Sequence, residues 1–185
     1  IISTPPVDRK SIKTEIVKVS SEDLTNWNKI VEAIQFEINR GGQVYFVHNQ
    51  VVSIKAMEEK LKALMPGVRF VHAHGQMSSE ELDKIMSAFY IKKFDVLVST
   101  TIIESGLDIP NANTLIVDRA DNFGLSQLHQ IRGRVGRGRE RAYAYFLYPA
   151  DKPLTEVAID RLNTIATNTE LGAGMQVALK DLEIR

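Results

Sequence analysis

Short apolar runs rich in β-branched residues alternate along this chain with longer stretches whose apolar residues recur every three or four positions. That alternation restricts the fold more than any other feature, because strands separated by helix-length connections pair in parallel and carry helices on both faces. Lys13 to Val19 alternates as a strand. Ser20 or Ser21 is placed to cap a helix with apolar residues Leu24, Trp27, Ile30, Val31, Ile34 and Ile38, and Gly41-Gly42 closes it. Val44 to Val47 reads as a strand covered on both faces, followed by a helix through Val51, Ile54, Met57, Leu61 and Leu64 that Pro66-Gly67 ends. Val68 to His72 is a third strand. Ser78 and Glu81 form a capping box ahead of a helix buried through Leu82, Ile85, Met86 and Phe89. Val96 to Val98 and Leu115 to Val117 are strands, Leu125 to Ile131 a helix, Ala142 to Tyr148 a last strand, and Leu154 to Ala166 a helix packed through Val157, Ile159, Leu162 and Ile165. The expected class is α/β, a parallel sheet flanked by helices, whose ligands gather at the carboxyl ends of strands.

Composition narrows the function classes. The 185 residues are 44% hydrophobic and 25% charged, enough for one domain with a full core. Lys plus Arg and Asp plus Glu number 23 each, so affinity for a polyanion has to come from local clustering. The absence of Cys excludes disulfides and thiolate metal sites. No apolar stretch approaches the roughly 18 residues of a membrane span, so the expectation is a soluble, cytoplasmic protein without membrane contact. The Ile1 to Pro6 opening and the Asp181 to Arg185 ending both read as cut from a longer protein.

Charge does cluster in one place. Arg132, Arg134, Arg137, Arg139 and Arg141 crowd together with only Glu140 opposing them, and Gly133, Gly136 and Gly138 are interspersed. Guanidinium forks match phosphate oxygens, and glycines admit close backbone approach. A solvated basic loop is the plain alternative. His72 and His74, two apart, lack a third ligand at metal-site spacing, so no metal site is assigned.

Gln130-Ile131-Arg132-Gly133-Arg134-Val135-Gly136-Arg137 resembles motif VI of superfamily 2 helicases and translocases. The resemblance implies that Arg137 and Arg134 are catalytic arginines reaching the γ-phosphate of ATP across a cleft, with Gln130 as a supporting nucleotide contact. Val96 to Pro110 is similar to motif V of the same superfamily. By that likeness Thr100 and Thr101 hold nucleic-acid phosphates, while Gly106 and Asp108 lie on the nucleotide side; the strand end by itself suits a helix cap equally well. Gln43 to Asn49 is similar to motif IV, which adds Asn49 to the nucleic-acid side, and His74 and Gly75 join it from the loop after the third strand. For His74 a loop residue without a role is the alternative.

Across nearly its whole length the chain resembles the bacterial double-strand DNA translocases, the transcription-repair coupling factors and the fork-remodelling helicase related to them. The Leu-Gly-Ala-Gly segment and the Ser-Thr-Pro-Pro opening lean toward the former. The implied object is a RecA-like carboxy-side motor lobe with a short helical carboxyl appendage: residues 1–12 a linker from the preceding lobe, 13–150 the lobe, and 151–185 a helix and the start of the translocation motif, with Leu171, Gly172, Gly174, Asp181 and Arg185. The cofactor implied is ATP with Mg2+, held mainly by another lobe, because no G-x-x-x-x-G-K-[ST] loop occurs here. The chain alone is expected to be inactive. The implied partners are double-stranded DNA, the other RecA-like lobe in cis, and RNA polymerase and excision-repair proteins bound through domains outside this sequence. A non-catalytic nucleic-acid-binding module remains the reading from a different class.

Overall fold

The computed structural model describes residues 12–20, 27–101, 111–136 and 140–167. In chain order the elements are β1 (Lys13–Val19), α1 (Trp27–Asn39), β2 (Gln43–Val47), α2 (Val51–Leu64), β3 (Phe70–Ala73), α3 (Ser79–Tyr90), β4 (Val96–Ser99), β5 (Ala112–Val117), α4 (Leu125–Arg132), β6 (Tyr143–Pro149) and α5 (Glu156–Thr167), with a short 3-10 turn at Ala120–Asn122. The strands form one sheet of six in the order β1-β6-β5-β2-β4-β3. Every neighbouring pair is parallel, as the alternation predicts.

Both faces of the sheet are buried. Val44 and Phe46 of β2 join Trp27, Ile30 and Ile34 of α1 and Ile54 and Leu61 of α2 on one side. Tyr45 and Val47 join Phe89 of α3, Leu128 and Ile131 of α4, and Ile159, Leu162 and Ile165 of α5 on the other. Three expectations shift. β5 starts at Ala112 rather than Leu115, because Asn113 and Thr114 are buried strand residues that interrupt the apolar signal. β3 starts at Phe70 rather than Val68. Val157, expected to pack, is 60% exposed, and Ala158 takes its place on the buried side of α5. Leu24 and Ser21 lie outside the described residues. No helix among the described residues is long and apolar enough to cross a membrane.

Two buried charges tie elements together. Glu37, at the end of α1, is fully buried and accepts from Arg40 and from the Thr114 hydroxyl of β5. Arg40 also donates to the Arg141 carbonyl ahead of β6. Burial opposes the Arg40 charge, but its hydrogen bonds and attraction to Glu37 outweigh that and raise its pKa. The turn has to be glycine: Gly41 adopts φ +89°, and a Cβ on Gly42 would overlap the Glu37 carboxylate.

The second is Arg132. It is 8% exposed, and its Nη1 donates to the Thr14 hydroxyl of β1 at 3.0 Å and to the Ile165 carbonyl of α5 at 2.7 Å. The arginine cluster is therefore divided, with one member turned inward as a brace and its pKa lowered by burial. Burial and the Arg132 charge together push His129 below its ordinary 6.5. Folding then favours the neutral ring, so the stabilisation is complete above the unfolded value and is lost as pH falls through the folded one.

Glu37→Ala strands a partly buried guanidinium and should remove about 3 kcal/mol of stability in urea unfolding. Lys29→Ala, which deletes the exposed pair with Glu15, should cost less than about 1 kcal/mol in the same assay. Arg132→Met should cost about 2 kcal/mol by leaving the Ile165 carbonyl unpaired. It should also raise the His129 pKa in an NMR titration and flatten the loss of stability toward acid.

Candidate nucleic-acid interface

Because all the strands run one way, their carboxyl ends share one edge, and most of the predicted nucleic-acid residues gather there. The residue after β2, His48, is buried, with Nδ1 2.8 Å from Asp118 Oδ2 and Nε2 2.6 Å from Ser53 Oγ. Asp118 follows β5, and Ser53 lies in the first turn of α2. His48 thus clamps the exit of β2 to both neighbours and fixes where Asn49 begins.

Asn49 is exposed, and its Oδ1 accepts from the Thr101 backbone N–H at 3.2 Å and from the Thr101 hydroxyl at 3.1 Å. The carboxamide oxygen is spent inward, which leaves the –NH2 as a donor. Thr100 and Thr101 differ. Thr100 is 3% exposed, its hydroxyl is enclosed without a hydrogen-bond partner, and its N–H bonds the Ala73 carbonyl. Thr101 is the one of the pair that reaches the surface.

His74 follows β3, half-buried, and its Nδ1 accepts from the Gln76 N–H at 3.2 Å. A neutral ring with Nδ1 accepting carries its proton on Nε2 and so offers a donor. Gly75 beside it is exposed. His72 bonds Glu58 through Nδ1 at 2.7 Å and stacks on His74, and no three metal-ligating side chains are grouped among the described residues.

The arginine turn stands elsewhere. α4 begins at Leu125, past the carboxyl end of β5, and ends at Arg132 against Thr14 at the start of β1. Arg134 follows, half-buried, with its N–H on the Ile131 carbonyl, and a Cβ on Gly136 would come within 3.0 Å of the Ala142 side chain and 3.4 Å of that of Ile12, just ahead of β6 and β1. This turn therefore lies away from the carboxyl edge where the other predicted residues gather. The eight residues of α4, about 12 Å, separate it from the Asn49 edge. Gln130 is exposed on the last turn of α4. Arg137, Gly106, Asp108, Leu171, Gly172, Gly174, Asp181 and Arg185 lie outside the described residues.

A polar recess of about 230 Å3 opens beside Asn49, lined by His48, Gln50, Asp118, Arg119, Asn122, Phe123 and Gln127 as well. Sequence reading passed over it. His48 and Asp118 each directly follow a strand, so the strand-end rule pointed at them; Asn122 and Gln127 carried no such signal.

The model of the helicase conserved C-terminal domain matches residues 25–139. The transcription-repair-coupling factor of Mycobacterium tuberculosis is 55% identical over the whole chain, and that of Haemophilus influenzae 52%. The chain spans 14% and 16% of the length of these two relatives. Among solved structures, RecG bound to a three-way DNA junction superposes with a TM-score of 0.75 at 35% identity, over 94% of this chain and 22% of that one. The C-terminal domain of the DEAD-box protein Dbp5 shares the fold, with a TM-score of 0.58 at 17% identity over 86% of this chain and 85% of that one. With a six-strand parallel RecA-like sheet and a family match over most of its described residues, the chain belongs to the helicase conserved C-terminal domain family.

Proposed function

We propose that this chain is the second motor lobe of an ATP-dependent double-stranded DNA translocase that displaces stalled RNA polymerase and couples transcription to nucleotide excision repair. The observation that carries the reading is the presence of two phosphate-suited donor sets at opposite ends of α4: the Asn49–Thr101 pair on one side and the Arg134 turn on the other. Whole-chain identity to the coupling factors supports the choice of motor.

In this reading Thr101, Asn49, His74 and Gly75 hold the nucleic-acid backbone, positioning it without reading sequence. Thr100 supports them from beneath. Arg137 and Arg134 donate to phosphate oxygens of ATP, which with Mg2+ is held mainly by another lobe of the same protein. Guanidinium donors suit that role because their charge persists at any working pH and their forked N–H groups match phosphate geometry. Gln130, Gly106 and Asp108 complete the nucleotide side. Leu171, Gly172, Gly174, Asp181 and Arg185 begin the segment that links lobe movement to DNA. RNA polymerase and repair proteins bind through other domains.

A second reading, a fork-remodelling helicase, is favoured by the likeness to RecG on a three-way junction. Displacement of a stalled polymerase, set against remodelling of branched DNA, separates the two in the longer protein.

In that longer protein Arg137→Ala and Arg134→Ala should each lower ATP turnover by about a thousandfold or more, while nucleotide affinity measured by equilibrium titration stays within a few-fold. Unchanged turnover in both variants removes the assignment.

A further inference from the structure

We propose that Ser53, His48 and Asp118 form an acyl-transfer site, in which Ser53 attacks small carboxylic esters and His48 is its general base. The activity lies outside the motor reading and uses neither nucleotide nor nucleic acid.

The three side chains come from three places in the chain and stand in sequence. Ser53 Oγ, in the first turn of α2, is 2.6 Å from His48 Nε2, and His48 Nδ1 is 2.8 Å from Asp118 Oδ2. A hydroxyl on an imidazole whose far nitrogen is held by a carboxylate is the arrangement that makes a serine nucleophilic. An ionised carboxylate can only accept, so Nδ1 carries a proton. In the neutral ring Nε2 is then an acceptor, and the Ser53 hydroxyl turns its hydrogen toward it. Ser53 Oγ also stands 2.9 Å from Gln50 Oε1, yet it has one hydrogen to give. Gln50 therefore takes that hydrogen only while the ring is charged, and gives it up once the ring is neutral and able to act as a base.

Burial supports the assignment. His48 and Asp118 are 8% and 9% exposed, which strengthens the bond between them, whereas Ser53 is half-buried and within reach of a reactant. The recess of about 230 Å3 is lined by His48, Gln50 and Asp118, and the first two bond Ser53 Oγ, so it adjoins the nucleophile. Its size limits the substrate to a short ester. Helix geometry leaves the N–H groups of Val51, Val52 and Ser53 without carbonyl partners inside α2, and the Gln50 side chain does not cap them. They stand in the same turn as the nucleophile and are donors for the negative oxygen that develops there. As Oγ bonds the ester carbonyl carbon, the hydroxyl proton passes to His48 Nε2. When the intermediate collapses and its C–O bond breaks, that proton passes to the departing alcohol oxygen. Water repeats both steps on the acyl-serine, which releases the carboxylic acid and restores Ser53.

A fluorophosphonate reads the nucleophile directly, since its phosphorus bonds an activated serine oxygen and releases fluoride. Peptide mapping of the 185-residue chain should find Ser53 labelled about a hundredfold faster than the exposed Ser87 of α3, and His48→Gln should abolish that difference. Release of p-nitrophenol from p-nitrophenyl acetate should fall about a hundredfold in Ser53→Ala. That variant leaves His48 bonded to Asp118, so its melting temperature should hold, and it keeps the test readable if His48→Gln loosens β2. Asp118 acts through His48. Nitrogen NMR should place the imidazole proton on Nδ1 in the unaltered chain, and in Asp118→Asn the Nε2 tautomer should appear as labelling slows. Equal labelling of Ser53 and Ser87, undiminished p-nitrophenol release in Ser53→Ala, or a neutral His48 with its proton on Nε2 overturns the proposal.

Discussion

The carboxylate of Glu37 has left water entirely and is held by Arg40 and Thr114, while Arg40 reaches on to the carbonyl of Arg141. Through this one charged node the end of α1, the start of β5 and the start of β6 are fixed to one another. In a sheet whose strands all run one way, such a node sits at the edge where these strands begin. The opposite edge, where strands end, is left to side chains that face solvent: Asn49, Thr101, His74 and the carboxamides of the recess. Parallel pairing thus gives the sheet two unlike edges.

α4 connects these regions. It starts among the polar groups of the carboxyl edge and stops where Arg132 braces β1 and α5, with Arg134 next along the chain. The helix is short and its buried residues Leu128 and Ile131 lie in the same core as α5. The arginine turn is thus held by one rigid piece at about 12 Å, the length of the helix, from the polar groups at its start.

The strand and helix order was legible in the sequence because both periodicities are strong and Gly41-Gly42 and Pro66-Gly67 mark the breaks. Where the reading slipped, a polar residue was buried or an apolar one was not. Thr114 looks like a loop residue until Glu37, far away in sequence, supplies its partner. Arg132 looks like one more surface arginine in a run. Its spacing of four from Leu128 places it on the inward side of α4, and that period was outweighed by the charge pattern. Asn49 and His74 were assigned from where strands end and from likeness to known motifs, and the structure places both just past the carboxyl ends of strands. Thr100 and Thr101 were not separable in advance, since which of two adjacent residues turns inward depends on the pleat. That the Asn49 oxygen is consumed was illegible for a deeper reason: its partner, Thr101, lies 52 positions away.

The seclusion of Glu37 has a practical consequence in ionic strength. Exposed pairs such as Lys29 with Glu15 are weakened by added electrolyte, since mobile ions screen them over about 10 Å at 0.1 M. Ions cannot enter between Glu37 and its partners, so the frame of the lobe keeps its shape across a range of electrolyte that would strip a polyanion from its surface. Release of nucleic acid by added electrolyte can therefore be read as a property of the interface, undisturbed by loosening of the sheet beneath it.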